Sequence, residues 1–215
     1  MHYRHTLLNF EAEVNEGLLE VGQHTLYYRV EGPSNGVPVF VFHGGWGPQE
    51  TDSQSCQGGQ WRIVHLHQRG WGRSTPTGDV EDNTPKDILA DVEALRAILD
   101  IEKWVVLGGS TGAMLALLYA VEHPDAVLGL VLRGTWLLRT KDIDWCYRGG
   151  MGHFYPEEWQ EFVQHVGCDP GLVGGHEDDN DPVALYAEKI LHGTKVWLYK
   201  GNENFQLFHS VKISV

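Results

Sequence analysis

Trp104-Val105-Val106-Leu107-Gly108-Gly109-Ser110-Thr111-Gly112-Ala113 is the stretch that decides how the chain is read. Trp104 to Leu107 is a short apolar run, the pattern of a strand buried on both faces. Gly108-x-Ser110-x-Gly112 follows, and an apolar helical pattern begins at once. A strand that turns sharply into a helix at a serine holds that hydroxyl on a strained turn, with small neighbours so that strand and helix can approach. The first N–H groups of the helix then point toward Ser110, where they stabilise developing negative charge. The competing reading is a glycine-rich turn with no chemistry, and the pentapeptide alone does not separate the two.

The flanking sequence does. Glu20 to Val30 is rich in β-formers and reads as an antiparallel edge strand, paired with a preceding one near Gly17 to Val21. Val37 to Phe42 reads as a strand buried on both faces, Trp61 to Leu66 as the next strand, and the polar stretch Gln49 to Gln60 between them as a loop. Thr84 reads as an N-cap, with Pro85 at the first helical position and Asp87 closing a capping box. Ile88, Leu89, Val92, Leu95, Ile98 and Leu99 then share one helical face. A helix runs from Ala113 to before His123-Pro124, and Ala126 to Leu132 reads as another buried strand. The order β, β, β, β, α, β, α, β implies an α/β fold with a mostly parallel sheet and flanking helices. Sites in such sheets lie beyond the carboxyl ends of the strands. His43-Gly44-Gly45, Arg69-Gly70, Gly109-Ser110 and Arg133-Gly134 all fall there, which favours the reactive turn. After Arg133 come short helical stretches rich in Trp and Tyr, read as a partial helical cap. The expected division is a core over 1–135, a cap over 136–204 and a tail over 205–215.

With 215 residues there is enough chain for one domain with a substantial core. The net charge of −13 with 16 Lys+Arg argues against nucleic acid and anionic membrane as partners. No run approaches the roughly 18 apolar residues of a membrane span, and Met1 to Phe10 has no signal-peptide core. Cys56, Cys146 and Cys168 are odd in number and unpatterned, which implies reduced thiols and a cytoplasmic setting. His65 and His67 share a strand face, but no third ligand stands at a telling distance, so no metal site is expected. His67, at the strand end, is expected to hydrogen-bond in the loops above the sheet. His176-Glu177-Asp178-Asp179-Asn180-Asp181 lacks the glycine and distal glutamate of a calcium loop and reads as a solvated loop.

The chain resembles the proline iminopeptidase family of α/β-hydrolases. The resemblance rests on His43-Gly44-Gly45-x-Gly47, Gln68-Arg69-Gly70-x-Gly72-Arg73-Ser74-Thr75-Pro76, Glu81-Asp82-Asn83-Thr84, Gly108-Gly109-Ser110, His123-Pro124 and Leu130-Val131-Leu132-Arg133-Gly134, in that order and within Leu18 to Trp159. It implies an α/β-hydrolase fold and serine acyl transfer without metal or cofactor. Ser110 would be the nucleophile toward an N-terminal proline or similar residue of a peptide or small amide. The N–H groups of Gly45 and Thr111 would hold the oxyanion, each such donor being worth roughly 3 kcal/mol of barrier. Gly44 and Trp46 would line the substrate floor.

The departures bear on the same site. The family pattern has proline at Trp46, aspartate at His67 and a tryptophan-glycine-serine run at Thr111-Gly112-Ala113. Its glutamate for the substrate amine aligns with Lys200, which would repel an ammonium, and nearby Glu203 is the substitute candidate. The fold's triad continues to an Asp or Glu and then a His on later loops. No Gly-x-x-Asp or Gly-His element follows Gly201, and His209 reads as a surface residue of the tail. The expectation is therefore a C-terminally truncated chain lacking the last core strands, with an uncovered sheet edge open to self-association. The alternative function is a catalytically impaired relative with a binding role. A generic esterase fits the serine turn but not its flanking motifs, and dehalogenases and epoxide hydrolases use an aspartate nucleophile.

Overall fold

The computed structural model describes residues 3–11, 14–45, 47–48, 60–169 and 180–192. They fall into two compact units, Met1–Leu137 and Leu138–Val215, taken separately below.

The first unit is built on a seven-stranded sheet in the order β1-β2-β3-β5-β4-β6-β7. Its strands are β1 (Tyr3–Glu11), β2 (Val14–Val21), β3 (His24–Glu31), β4 (Val37–Phe42), β5 (Trp61–Leu66), β6 (Trp104–Gly109) and β7 (Val127–Arg133). The β5-β4-β6-β7 half is parallel, and β1-β2-β3 joins β5 as an antiparallel ribbon. The expected edge strand over Glu20 to Val30 is corrected here. It is interrupted by a two-residue turn, with Gly22 at φ 59° and Val21 opposite His24. The strand that follows, β3, is internal, paired with β2 and β5, and the edge belongs to β1. Gly22-Gln23 is a weaker hairpin signature than Asn-Gly, which is why the run reads as continuous in the sequence.

Helix α1 (Pro85–Ile98) starts where its cap demands. Asp87 N–H donates to Thr84 Oγ1 at 3.3 Å, and Thr84 N–H donates to the Asp87 carboxylate at 3.0 Å. Such a cap contributes about 1 kcal/mol. Helix α2 (Thr111–Glu122) buries Gly112, Ala113, Leu115, Ala116 and Tyr119. The main core unites Phe40, Phe42, Trp104 and Val106 from the parallel strands with Leu89, Val92 and Leu95 of α1 and Tyr119 of α2. Trp104 Nε1–H donates to Tyr119 Oη at 3.1 Å, so the large buried indole leaves no orphan donor. β7 is the opposite edge of the sheet. The expected buried strand over Ala126 to Leu132 is corrected here: no residue of β7 is buried, with Leu128 and Val131 56% and 49% exposed, because an edge strand has a neighbour on one side only.

The second unit holds α3 (Thr140–Tyr147), a 3₁₀ turn (Met151–His153), α4 (Pro156–His165) and α5 (Pro182–His192). Phe162, Val163, Val166, Cys168 and Tyr186 form its own small core, with Tyr186 stacked on Phe162 at 4.7 Å. Arg148 binds Asp181 through two bonds of 2.7 and 2.9 Å and Asp144 at 2.8 Å. Asp181, at the end of the acidic stretch, is thus an arginine partner. Residues 176–179 of that stretch and the tail over 205–215 lie outside the described residues.

Candidate active site

Ser110 stands between the last residue of β6 and the first of α2, at φ 56° and ψ −122°. That conformation costs an L-residue about 1–3 kcal/mol and persists only where the surroundings over-determine it. They do so here. Ser110 N–H donates to the Arg133 carbonyl at 3.0 Å, and the Ser110 carbonyl accepts from Ala113 N–H at 3.0 Å and Trp136 N–H at 3.4 Å. The two outer glycines of the pentapeptide make the turn sterically possible. A Cβ on Gly108 would strike the Gly112 carbonyl, and one on Gly112 would strike the carbonyls of Phe42 and His43. The motif is therefore a three-way backbone contact between β6, α2 and the end of β4.

The loop after β4 lies against this turn. A Cβ on Gly44 would sit 3.4 Å from Ser110 Cβ, and one on Gly45 would sit 3.5 Å from Thr111 Oγ1. Ser110, Thr111, Gly44 and Gly45 are thus brought together, beside the N-terminus of a helix whose first N–H groups have no intrahelical partner. Trp46 and Glu203 lie outside the described residues, as do Lys200 and His209. Among the described residues no side chain hydrogen-bonds Ser110 Oγ. The guanidinium of Arg133 lies beside Gly109, with Nη2 3.7 Å from where a Cβ would stand. This positive charge, beside the residue that precedes the serine, is not among the site residues read from sequence. Its only signal there is that Arg133-Gly134 ends a strand on the site's side.

The Gln68-Arg69-Gly70 and Glu81-Asp82-Asn83-Thr84 stretches grip one another. Arg69 makes a bidentate pair with Asp91 of α1, both bonds 2.7 Å and both side chains 2% exposed. Arg69 Nη1 also donates to the Asp82 carbonyl, and Asn83 Nδ2 donates to the Arg69 carbonyl at 3.0 Å. Burial works against the Arg69 charge, but the hydrogen bonds and charge of Asp91 outweigh it and lift the Arg69 pKa above its ordinary value. These motifs clamp the post-β5 loop to α1, a framework task.

His67 accepts a hydrogen bond at Nδ1 from Arg73 N–H at 2.9 Å, in the loop above the sheet. Burial, with the nearby His43 and Arg73, pushes its pKa down to about 4. His65 lies 3.7 Å from the Glu31 carboxylate on β3, and burial, with Arg29 and His67, brings it to about 4 as well. Both rings are neutral near pH 7. Among the described residues no three His, Cys, Asp or Glu groups stand together as metal ligands. Nor is any described helix long and apolar enough to cross a membrane.

The chain's similarities follow the same lines. Residues 37–171 match the family model for the alpha/beta hydrolase fold. A probable proline iminopeptidase of Leptolyngbya boryana is 42% identical over 182 residues, covering 83% of this chain and 54% of the relative. The proline iminopeptidase of Arabidopsis thaliana is 46% identical over 69% of this chain and 40% of its own length. That of Neisseria gonorrhoeae is 45% identical over 71% and 50%. The chain spans about half the length of these curated relatives. In fold it resembles a proline iminopeptidase-related protein of Thermus thermophilus, with TM-score 0.59, 23% identity, and coverage of 81% of this chain and 56% of the other. A carboxylesterase structure from Nitrososphaera gargenis has TM-score 0.54, 21% identity, and coverage of 90% and 61%. With the serine turn, its sheet and the matched residues in agreement, the chain belongs to the α/β-hydrolase fold family.

Proposed function

We propose that this chain is a serine hydrolase of the proline iminopeptidase type, releasing an N-terminal proline or similar residue from peptides or small amides. The observation that carries the reading is Ser110 at φ 56°, held by three backbone hydrogen bonds and flanked by glycines that cannot be replaced. Ser110 Oγ attacks the carbonyl of the N-terminal residue. The Oγ–C bond forms, the C–N bond breaks, and the serine proton passes through a base to the leaving amine. Water then hydrolyses the acyl-enzyme and frees the N-terminal residue. The N–H groups of Gly45 and Thr111 receive the oxyanion, Gly44 and Trp46 line the floor, and Glu203 receives the substrate amine. No cofactor or metal enters the reaction.

A second reading has an observation of its own. No described side chain hydrogen-bonds Ser110 Oγ, and a serine without a base is a weak nucleophile at neutral pH. On that reading the chain binds a ligand at the same site without turnover. Two measurements separate them: labelling by a fluorophosphonate probe and release of a chromogenic amine from a proline amide. The hydrolase reading expects both in the wild type and neither in Ser110→Ala. Equal inertness of the two proteins overturns it.

Cytoplasmic location is part of the proposal and rests on the unpaired cysteines Cys146 and Cys168. So is self-association of two copies through β7. Antiparallel pairing about Leu130 would set Leu128 opposite Leu132, on a strand with no acidic residue in a chain of net charge −13. Sedimentation should give a dimer for the wild type and a monomer for Leu130→Lys; a monomeric wild type rules it out.

A further inference from the structure

His43 follows the last residue of β4, is 4% exposed, and stands one residue from the loop that touches Ser110. A buried histidine in that place invites the role of catalytic base. Its hydrogen bonds exclude that and give it a different task. Nδ1 lies 2.9 Å from the Gly44 carbonyl oxygen, which only accepts, so Nδ1 carries the proton. Nε2 lies 3.2 Å from the Gln68 backbone nitrogen, which only donates, so Nε2 carries the lone pair. The ring is neutral, in a single tautomer, with both nitrogens committed. To take a proton from Ser110 it would have to give up its bond to Gln68. Gln68 secures the arrangement from the other side, its Nε2 donating to the His43 carbonyl at 3.3 Å.

The consequence is read from peptide geometry. The Gly44–Gly45 peptide is planar and trans, so its C=O and N–H point in opposite directions. The Gly44 carbonyl is held by His43 Nδ1–H and by Gly47 N–H at 3.0 Å. Fixing that oxygen fixes the direction of the Gly45 N–H on the far side of the same peptide. Gly44 and Gly45 lack a Cβ, so nothing local stops the unit from turning over, and the restraint has to come from outside. We propose that His43 is a positioning residue which, as the neutral Nδ1–H tautomer, aims the Gly45 N–H as an oxyanion donor. This rests on the serine hydrolase reading above for its catalytic consequence, but not for its geometry.

Two variants dissect it. His43→Asn places a donor nitrogen where Nδ1 stands, and His43→Leu keeps bulk without any donor. Nitrogen-15 NMR of the wild type should show the His43 Nδ1–H tautomer. The Gly45 amide resonance should stay near its wild-type position in His43→Asn and move in His43→Leu. Fluorophosphonate labelling of Ser110 should slow about 100-fold in His43→Leu, the cost of one lost oxyanion donor, and recover at least tenfold of that in His43→Asn. An Nε2–H tautomer, or a Gly45 resonance equally placed in both folded variants, overturns the proposal. If the wild type is not labelled at all, the hydrolase reading fails, while the tautomer and the Gly45 resonance still decide the role of His43. The wild-type tautomer measurement stands even if a variant does not fold.

Discussion

Removing either partner of the Arg69–Asp91 pair should destabilise the first unit, but with different pH dependence. Both side chains are 2% exposed and share two bonds of 2.7 Å. Breaking a buried pair by removing one partner costs about 3–5 kcal/mol, because an uncompensated charge stays behind. The charge left behind differs in the two cases. In Asp91→Leu it is an arginine, which cannot lose its proton in a protein, so the penalty stays at about 3–5 kcal/mol across neutral and mildly acid pH. In Arg69→Met it is a carboxylate, which escapes by protonation. From an ordinary aspartate pKa near 3.9, neutralising it costs about 4 kcal/mol at pH 7 and about 1.5 kcal/mol at pH 5. Its folded-state pKa is raised, so the variant recovers stability as pH falls toward the unfolded value. The penalty for Arg69→Met should thus be about 3–4 kcal/mol at pH 7 and below about 2 kcal/mol at pH 5, each relative to wild type at the same pH. The double variant leaves no buried charge and should recover to within about 1–2 kcal/mol of wild type, less the bond to the Asp82 carbonyl. Urea unfolding followed by far-UV circular dichroism measures all four proteins, with the slope m checked for constancy. Single variants that each cost under about 1 kcal/mol, or an Arg69→Met penalty that does not shrink at pH 5, would refute the reasoning.

Acid should weaken the fold in a window set by histidines. His65 titrates near 4 in the folded chain and near 6.5 unfolded. Between those values the unfolded state binds a proton that the folded state refuses, so stability falls as pH falls, by about 3 kcal/mol for His65. His67 adds in the same direction, since its protonation breaks the bond from Arg73 N–H. The urea midpoint of His65→Leu should fall less steeply from pH 6.5 to 4 than that of wild type, and parallel curves would count against it. Ser110→Gly should raise stability by about 1 kcal/mol, as relief of about 1–3 kcal/mol of backbone strain exceeds the entropy cost of glycine, while abolishing probe labelling. Ser110→Ala keeps the Cβ and should not gain; a Ser110→Gly protein less stable than Ser110→Ala would show that the turn is not strained.

The parts of the fold legible in the sequence are those where local chemistry and tertiary demand coincide. Thr84-Pro85-x-Asp87 specifies a cap whatever surrounds it, and α1 begins there. The runs in β4 and in Trp104 to Leu107 of β6 are apolar, as expected of strands inside the parallel half of the sheet. β1 and the Gly22-Gln23 turn are less legible. Tyr3–Glu11 mixes polar and apolar residues without clean alternation, and its register on β2 shifts between Leu7 and Asn9. An irregular edge strand is defined by the partner it pairs with, which a single-chain pattern does not display.

The site divides along the same line. Ser110 is legible because the turn needs glycine at two fixed offsets, and the backbone contacts of Gly108 and Gly112 supply the reason. His43, Gln68 and Arg133 carry no such offset. His43 and Gln68 are 25 residues apart and meet because β4 and β5 lie side by side in parallel. Arg133 reaches Gly109 because β7 pairs beside β6 in register, Gly109 opposite Arg133. Their roles follow from strand order, and strand order is a property of the whole sheet. The Gln-Arg-Gly and Glu-Asp-Asn-Thr stretches make the converse point. They are among the stretches that carry the family resemblance, yet they serve to clamp the post-β5 loop onto α1. That loop carries Gln68, Gln68 holds His43, and His43 holds the Gly44 carbonyl. A motif remote from the chemistry thus reaches the Gly45 N–H through hydrogen bonds joined by the backbone between Arg69 and Gln68 and by the Gly44–Gly45 peptide. A loosened Arg69–Asp91 pair should accordingly disturb the Gly45 amide resonance before it unfolds the sheet.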